Sequence, residues 1–191
     1  MLRPALKFSL LFAGLWIALK MIFMAFNLFQ EDIQVTGLLN NFFLLSAIAL
    51  GLFFEKRKEG FGEGTAMTDI KHAVTAGAPY VLIVSLFMFY YYDTINPEFI
   101  ETRVEERVDL IYNDMQRESY VDSLKINKPE FRTRTDEEIL REAKREIESN
   151  LSPKSMLVFS LLGMLILAVT YAILLTLVFR KVLFRDLYKG Q

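Results

Sequence analysis

Residues 94–154 read TINPEFIETRVEERVDLIYNDMQRESYVDSLKINKPEFRTRTDEEILREAKREIESNLSPK, and their place in the chain decides the fold. This stretch carries 11 Lys/Arg and 15 Asp/Glu, yet it sits between two long apolar runs. Working outward, the apolar runs are 8–29, 37–54, 73–92 and 155–179. Each is close to the ~20 residues that a helix needs to cross a hydrocarbon core. Backbone N–H and C=O groups must be satisfied inside lipid, so four such runs imply four helices. Alternating apolarity would mark a barrel, and these runs do not alternate. The expected fold is all-α: a four-helix transmembrane bundle with a helical hairpin between spans three and four.

Three parts follow. Residues 1–93 hold spans one to three, with a polar loop at 55–72. Residues 94–154 form the hairpin, and 155–191 form the fourth span and a basic tail. Arg3 and Lys7 before an apolar stretch resemble a signal peptide, but the run resumes after Lys20 and reaches Phe29, which is long for such a signal.

Charge orients the spans. Basic residues close to span ends favour the cytoplasm. Arg3 and Lys7 precede span one; Lys56, Arg57, Lys58 and Lys71 lie between spans two and three; Arg180, Lys181, Arg185 and Lys189 follow span four. The connection after span one is acidic, with Glu31 and Asp32. Both termini are therefore expected in the cytoplasm and residues 94–154 outside it, since long segments translocate largely regardless of their charge. Tyr90, Tyr91 and Tyr92 stand where an aromatic belt belongs.

Within the charged segment, Asn96-Pro97-Glu98 reads as a helix start, with Pro at the first helical position and an acid at the positive dipole end. Ile100, Val104, Val108, Ile111 and Met115 recur at spacings of three and four and make one apolar stripe. That helix should fade before Lys125, with Pro129 in the link. A second helix starts at Thr135-Asp136-Glu137-Glu138, a capping-box pattern in which Thr and Glu side chains satisfy each other's exposed N–H groups. Ile139, Leu140, Ala143, Ile147 and Leu151 give it an apolar face, and Glu137–Arg141 and Lys144–Glu148 add pairs at helical spacing. Ser152 and Pro153 end it. Two narrow stripes can cover each other, lie on the membrane surface, or dock a partner helix. Ile100, Val104, Val108, Ile111, Met115, Ile139 and Ile147 are the candidate partner-binding residues.

Lys20 is the one ionisable residue well inside a run. A charged Lys at mid-bilayer costs about 2.5–3.5 kcal/mol on insertion scales, so it is a candidate functional residue. Trp16, one turn earlier, could offer a cation–π contact, and Asn27, Asn40 and Asn41 are possible polar neighbours. A tilted span or plain helix packing would equally account for Lys20. No Asp or Glu lies inside a run, which counts against a proton-coupled carrier, and Gly77-Ala78-Pro79 has no counterpart that would signal an inverted repeat. Gly14/Ala18, Ala47/Gly51, Ala73/Gly77 and Ala168/Ala172 are small-xxx-small pairs that let backbones approach.

Chemistry is scarce. With no Cys there is no disulfide, thiolate or Cys-based zinc site. His72 is the single histidine, and in sequence it lacks a clustered acid, Cys or second His. Gly60-Phe61-Gly62-Glu63-Gly64-Thr65 mimics a phosphate loop, but a real one opens a helix after a strand, so a flexible turn, or an interfacial element anchored by Phe61, is expected. The Lys56-Arg57-Lys58 cluster could attract anionic headgroups, although orienting the chain already explains it. A net charge of −1 gives no reason to invoke nucleic acid. No cofactor and no catalytic or metal site is expected.

Gly60-Phe61-Gly62-Glu63, a third span ending in Tyr90-Tyr91-Tyr92-Asp93, and then Ile95-Asn96-Pro97-Glu98-Phe99 resemble the bacterial domain-of-unknown-function family 4199. The Glu/Arg-rich helix from Glu137 to Glu148 into Ser152-Pro153 shares that resemblance. It implies a bacterial inner-membrane protein whose long segment is periplasmic, and it implies no activity. The expectation is a non-enzymatic accessory or scaffold protein that contacts the lipid bilayer and an envelope partner, or a second copy of itself, through its hairpin. The alternative is a small transporter or channel component using Lys20.

Overall fold

A computed structural model describes residues 2–28, 33–117, 120, 126, 131 and 133–183. Glu31, Asp32, Lys125, Pro129, Arg185 and Lys189, used above for orientation and linkage, lie outside the described residues. The described elements are helical: α1 (Pro4–Ala25), α2 (Ile33–Glu59), α3 (Ala66–Tyr90), α4 (Pro97–Met115), α5 (Asp136–Leu151) and α6 (Pro153–Val178). Helices α1, α2, α3 and α6 are long and apolar enough to cross a membrane. The chain is therefore a multi-pass, all-α transmembrane protein. It divides into a bundle unit, residues 1–87 with 160–191, and a second unit, residues 88–159.

Helix ends follow local chemistry. Pro4 occupies the first turn of α1, where its missing N–H costs nothing. Asn27 stops the helix: it takes φ 53°, and the Leu28 N–H donates to the Phe23 carbonyl at 2.8 Å. That is the left-handed stop with a six-to-one bond that ends many helices. Asn27 thus serves as the cap of α1. Gly60 (φ 111°) and Gly64 (φ 73°) bound the α2–α3 turn at angles that residues with a Cβ rarely adopt. The Phe61 ring packs 5.7 Å from the Phe53 ring.

Inside the bundle unit each helix buries one stripe. Ala5, Ser9, Ala13, Trp16 and Lys20 form it on α1, and Met164, Ala168, Ala172 and Thr176 on α6. Small residues set the approach distances. A Cβ on Gly51 would meet the Ala76 Cβ at 2.5 Å and the Ala5 Cα at 3.3 Å, so α1, α2 and α3 converge there. A Cβ on Gly77 would meet Ile48 at 3.0 Å and Ala168 at 3.2 Å, where α2, α3 and α6 converge. Three of the four small-residue pairs therefore pack helices. Gly14/Ala18 does not: both residues face outward, and among the described residues nothing lies within 4 Å of a Gly14 Cβ. Pro79 sits within α3, which continues as one helix through it. The Tyr80 hydroxyl donates to the Asn40 side-chain carbonyl at 2.7 Å, and the Asn40 amide reaches the Met164 sulfur at 3.5 Å. Together these polar contacts link α2, α3 and α6 at span depth.

In the second unit, a π-helical turn over Tyr91–Ile95 closes with the Asn96 N–H on the Tyr91 carbonyl, and α4 starts at Pro97. The Tyr92 and Phe99 rings stack at 5.1 Å, with the Arg103 guanidinium 5.4 Å from the Phe99 ring centre. The predicted capping box of α5 is present in full: the Glu138 N–H donates to the Thr135 hydroxyl, and the Thr135 N–H donates to the Glu138 carboxylate. Helices α4 and α5 pack together as a hairpin. The start of α4 and the end of α5 line one groove, so they run antiparallel.

Candidate functional site

The apolar runs end before the helices do, and the extra turns carry the charge. On α2 the core stripe Leu44, Ala47/Ile48, Gly51/Leu52 continues at the same spacing to Glu55/Lys56. On α3 the stripe Tyr80/Val81, Ala76/Gly77, Ala73 continues backwards to Asp69. On α6 the four-residue step from Met164 through Thr176 reaches Arg180 in the π-helical turn Phe179–Leu183. These continuations converge at one end of the bundle unit, beside the N-terminus of α1.

Lys56 and Asp69 are both fully buried and pair at 3.2 Å. Lys56 also donates to the Glu63 carbonyl and lies 3.8 Å from a Glu59 carboxylate oxygen. Arg180, partly exposed, brings its Nε to 3.5 Å from the other Asp69 oxygen and donates to the Gly64 carbonyl at 2.9 Å. A buried carboxylate shared by two cations offsets the desolvation that would make a lone buried charge untenable. Glu55, 6% exposed, accepts the Ala5 N–H at 3.3 Å, satisfying one orphan donor in the first turn of α1. His72 Nε2 stands 3.0 Å from a Glu59 oxygen. One oxygen each of Glu55 and Glu59 and one His72 nitrogen lie within 4.8 Å of one another.

Two expectations are corrected here. Lys56 does not face headgroups beside Arg57 and Lys58: the stripe carries it inside, where Asp69 is its partner. His72 does have a clustered acid, because α2 places Glu59 against it. The spacing of the apolar stripes, carried one turn past the last apolar residue, was the signal available for Glu55, Lys56 and Asp69.

Lys20 is buried at the far end of the α1 stripe. It shares with Trp16, Leu19, Phe23, Thr36 and Leu39 a crevice too narrow to admit a water molecule. Asn40 is engaged with Tyr80 and Met164.

In the second unit, Ile100, Val104 and Val108 line a groove of about 710 Å³ between α4 and α5. Its rim is acidic: Glu101, Glu105 and Asp109 from α4 and Glu148 from α5, against Lys144. Lys144 and Glu148 pair at 3.9 Å. Ile111 and Met115 continue the α4 stripe half-buried, as does Ile147 on α5. Ile139 is only 1% exposed. Leu110 and Tyr112 are exposed on α4, outside the stripe.

A family model described as "Protein of unknown function (DUF4199)" matches residues 7–181. No curated protein and no solved structure matches the chain.

Proposed function

The chain belongs to that family of proteins of unknown function, and on that premise we propose that it is a non-enzymatic, multi-pass accessory or scaffold protein of the bacterial inner membrane. Both termini lie in the cytoplasm and the α4–α5 hairpin in the periplasm, a topology supported by the basic residues flanking the spans on one side. The hairpin holds a partner segment of another envelope protein. The observation that carries this reading is the groove along α4: Ile100, Val104 and Val108 are only half-covered by α5, under a rim of four acids and one lysine.

An amphipathic helix with apolar anchors at i, i+4 and i+8 and basic flanks fits such a groove. Apolar contact supplies affinity, and the acidic rim sets orientation and association rate. Ile139 is already spent in the hairpin's own packing, so the contact centres on Val104.

The test is site-specific photocrosslinking from Val104 in cells expressing the protein at its native level. The expected result is a discrete adduct with another envelope protein, lost when Glu101, Glu105 and Asp109 are replaced by Lys. Adducts only with a second copy of the chain, or adducts indifferent to the charge reversal, would overturn the reading.

A further inference from the structure

Lys56 and Arg180 divide Asp69 between them, which leaves Glu55, Glu59 and His72 as a second group at the same end of the bundle. We infer that these three side chains form a binding site for a divalent transition-metal ion. Glu55 and Glu59 are one turn apart on α2, so their carboxylates leave the same helix face. His72 enters from the first half of α3. Their donor atoms lie within 4.8 Å of one another. Ligands of a common ion at ~2.0–2.2 Å stand about 3–4 Å apart, so sub-ångström rotamer shifts close the set.

Two observations show that the group is incomplete as it stands. Glu55 is 6% exposed, and its one hydrogen bond among the described residues is the Ala5 N–H on Oε2. A carboxylate so nearly buried ordinarily has a charged partner or several donors. The neighbouring cation is turned away: Lys56 is committed to Asp69 and the Glu63 carbonyl, and reaches Glu59 only at 3.8 Å. His72 Nε2 is shielded from solvent and, among the described residues, has no hydrogen bond of acceptable geometry, although a Glu59 oxygen stands 3.0 Å away. A ring nitrogen and two carboxylates facing one another without aligned protons are what a metal ion would unite. One imidazole with two carboxylates favours zinc, manganese or iron over magnesium or calcium, which prefer oxygen alone. The ion would tie α2 to α3 beside the Lys56–Asp69 pair. This inference is independent of the groove reading, since every residue in it belongs to the bundle unit.

The experiment uses the full chain, purified in mild detergent with a tag free of histidine, stripped with chelator and titrated with Zn²⁺ and then Mn²⁺. Calorimetry should give one ion per chain, and the bound metal should raise the unfolding temperature. Co²⁺ should show visible ligand-field bands that include a nitrogen contribution. His72→Ala should weaken binding by ~100-fold or more and abolish those bands. If His72→Ala impairs folding, Glu59→Gln, at the more exposed position, should produce the same loss. Sub-stoichiometric binding, or binding unchanged in either variant, would overturn the inference. Stabilisation by mild acid but not by metal would also overturn it, assigning the contact to a Glu59–His72 ion pair.

Discussion

Asp69→Asn is the substitution that interrogates the buried cluster most directly. At 3.2 Å the Lys56–Asp69 attraction is about 5 kcal/mol gross at an effective dielectric of ~20. Much of that offsets the desolvation of two fully buried groups. Removing one partner costs more than the net worth of the pair, because it strands the other charge, typically by about 3–5 kcal/mol. Lys56 would keep the Glu63 carbonyl and a distant Glu59, which puts Asp69→Asn near the low end, at about 3 kcal/mol. Lys56→Met should cost less, about 2 kcal/mol, because Arg180 still faces Asp69 and itself reaches solvent. The double variant strands no buried cation and no buried anion within the pair. It should cost about 2 kcal/mol rather than the sum of ~5, a coupling of about 3 kcal/mol. Trp16 is the chain's one tryptophan and is buried on α1, so its emission reports unfolding during SDS titration of mixed micelles. A cost below about 1 kcal/mol for Asp69→Asn, or simple additivity in the double variant, would refute the claim that the pair is desolvated and coupled.

Close helix approach predicts that Gly51→Val destabilises the bundle by about 1–3 kcal/mol in the same titration, because its Cβ would enter Ala76. Gly14→Val, with open space around it, should change little, and equal effects at the two sites would contradict the packing. Thr135→Ala removes the hydroxyl that accepts the Glu138 N–H, one half of the α5 capping box, and should cost about 1 kcal/mol. The loss should be read as faster amide exchange at Glu138, with exchange along α3 unchanged.

The four spans and both hairpin helices were legible because their signals are local: unbroken apolar runs, a Pro at a first helical position, and a Thr and Glu three residues apart. The buried cluster was not read for a physical reason. Composition treats Lys56 as one of three adjacent cations, and only the phase of the helix separates it from Arg57 and Lys58. Extending the Ile48–Leu52 spacing by four places Lys56 inside, but nothing local names Asp69 as its partner, and Arg180 arrives from another helix altogether. His72 likewise looked isolated because Glu59 is close only after α2 and α3 turn back at Gly60 and Gly64. Small-residue pairs carry the opposite lesson. Gly14/Ala18 has the same spacing as Ala73/Gly77, yet it faces outward, since spacing fixes that two residues share a face and not which face is covered.

The bundle unit is interrupted in sequence by residues 88–159, and this gives its assembly an order in time. Lys56 and Asp69 come from consecutive helices, so their charges can neutralise each other as soon as α3 leaves the ribosome. Arg180 follows Gly64 by 116 residues and cannot contribute until the whole second unit has been made. At 5–20 residues per second those 116 residues fill an interval of roughly 6–23 s. During it the nascent bundle has three helices and an open flank at Gly77, where Ala168 will later seat. The last helix must therefore find that flank before any neighbouring span of similar small-residue surface does, so fidelity of assembly rests on its late arrival.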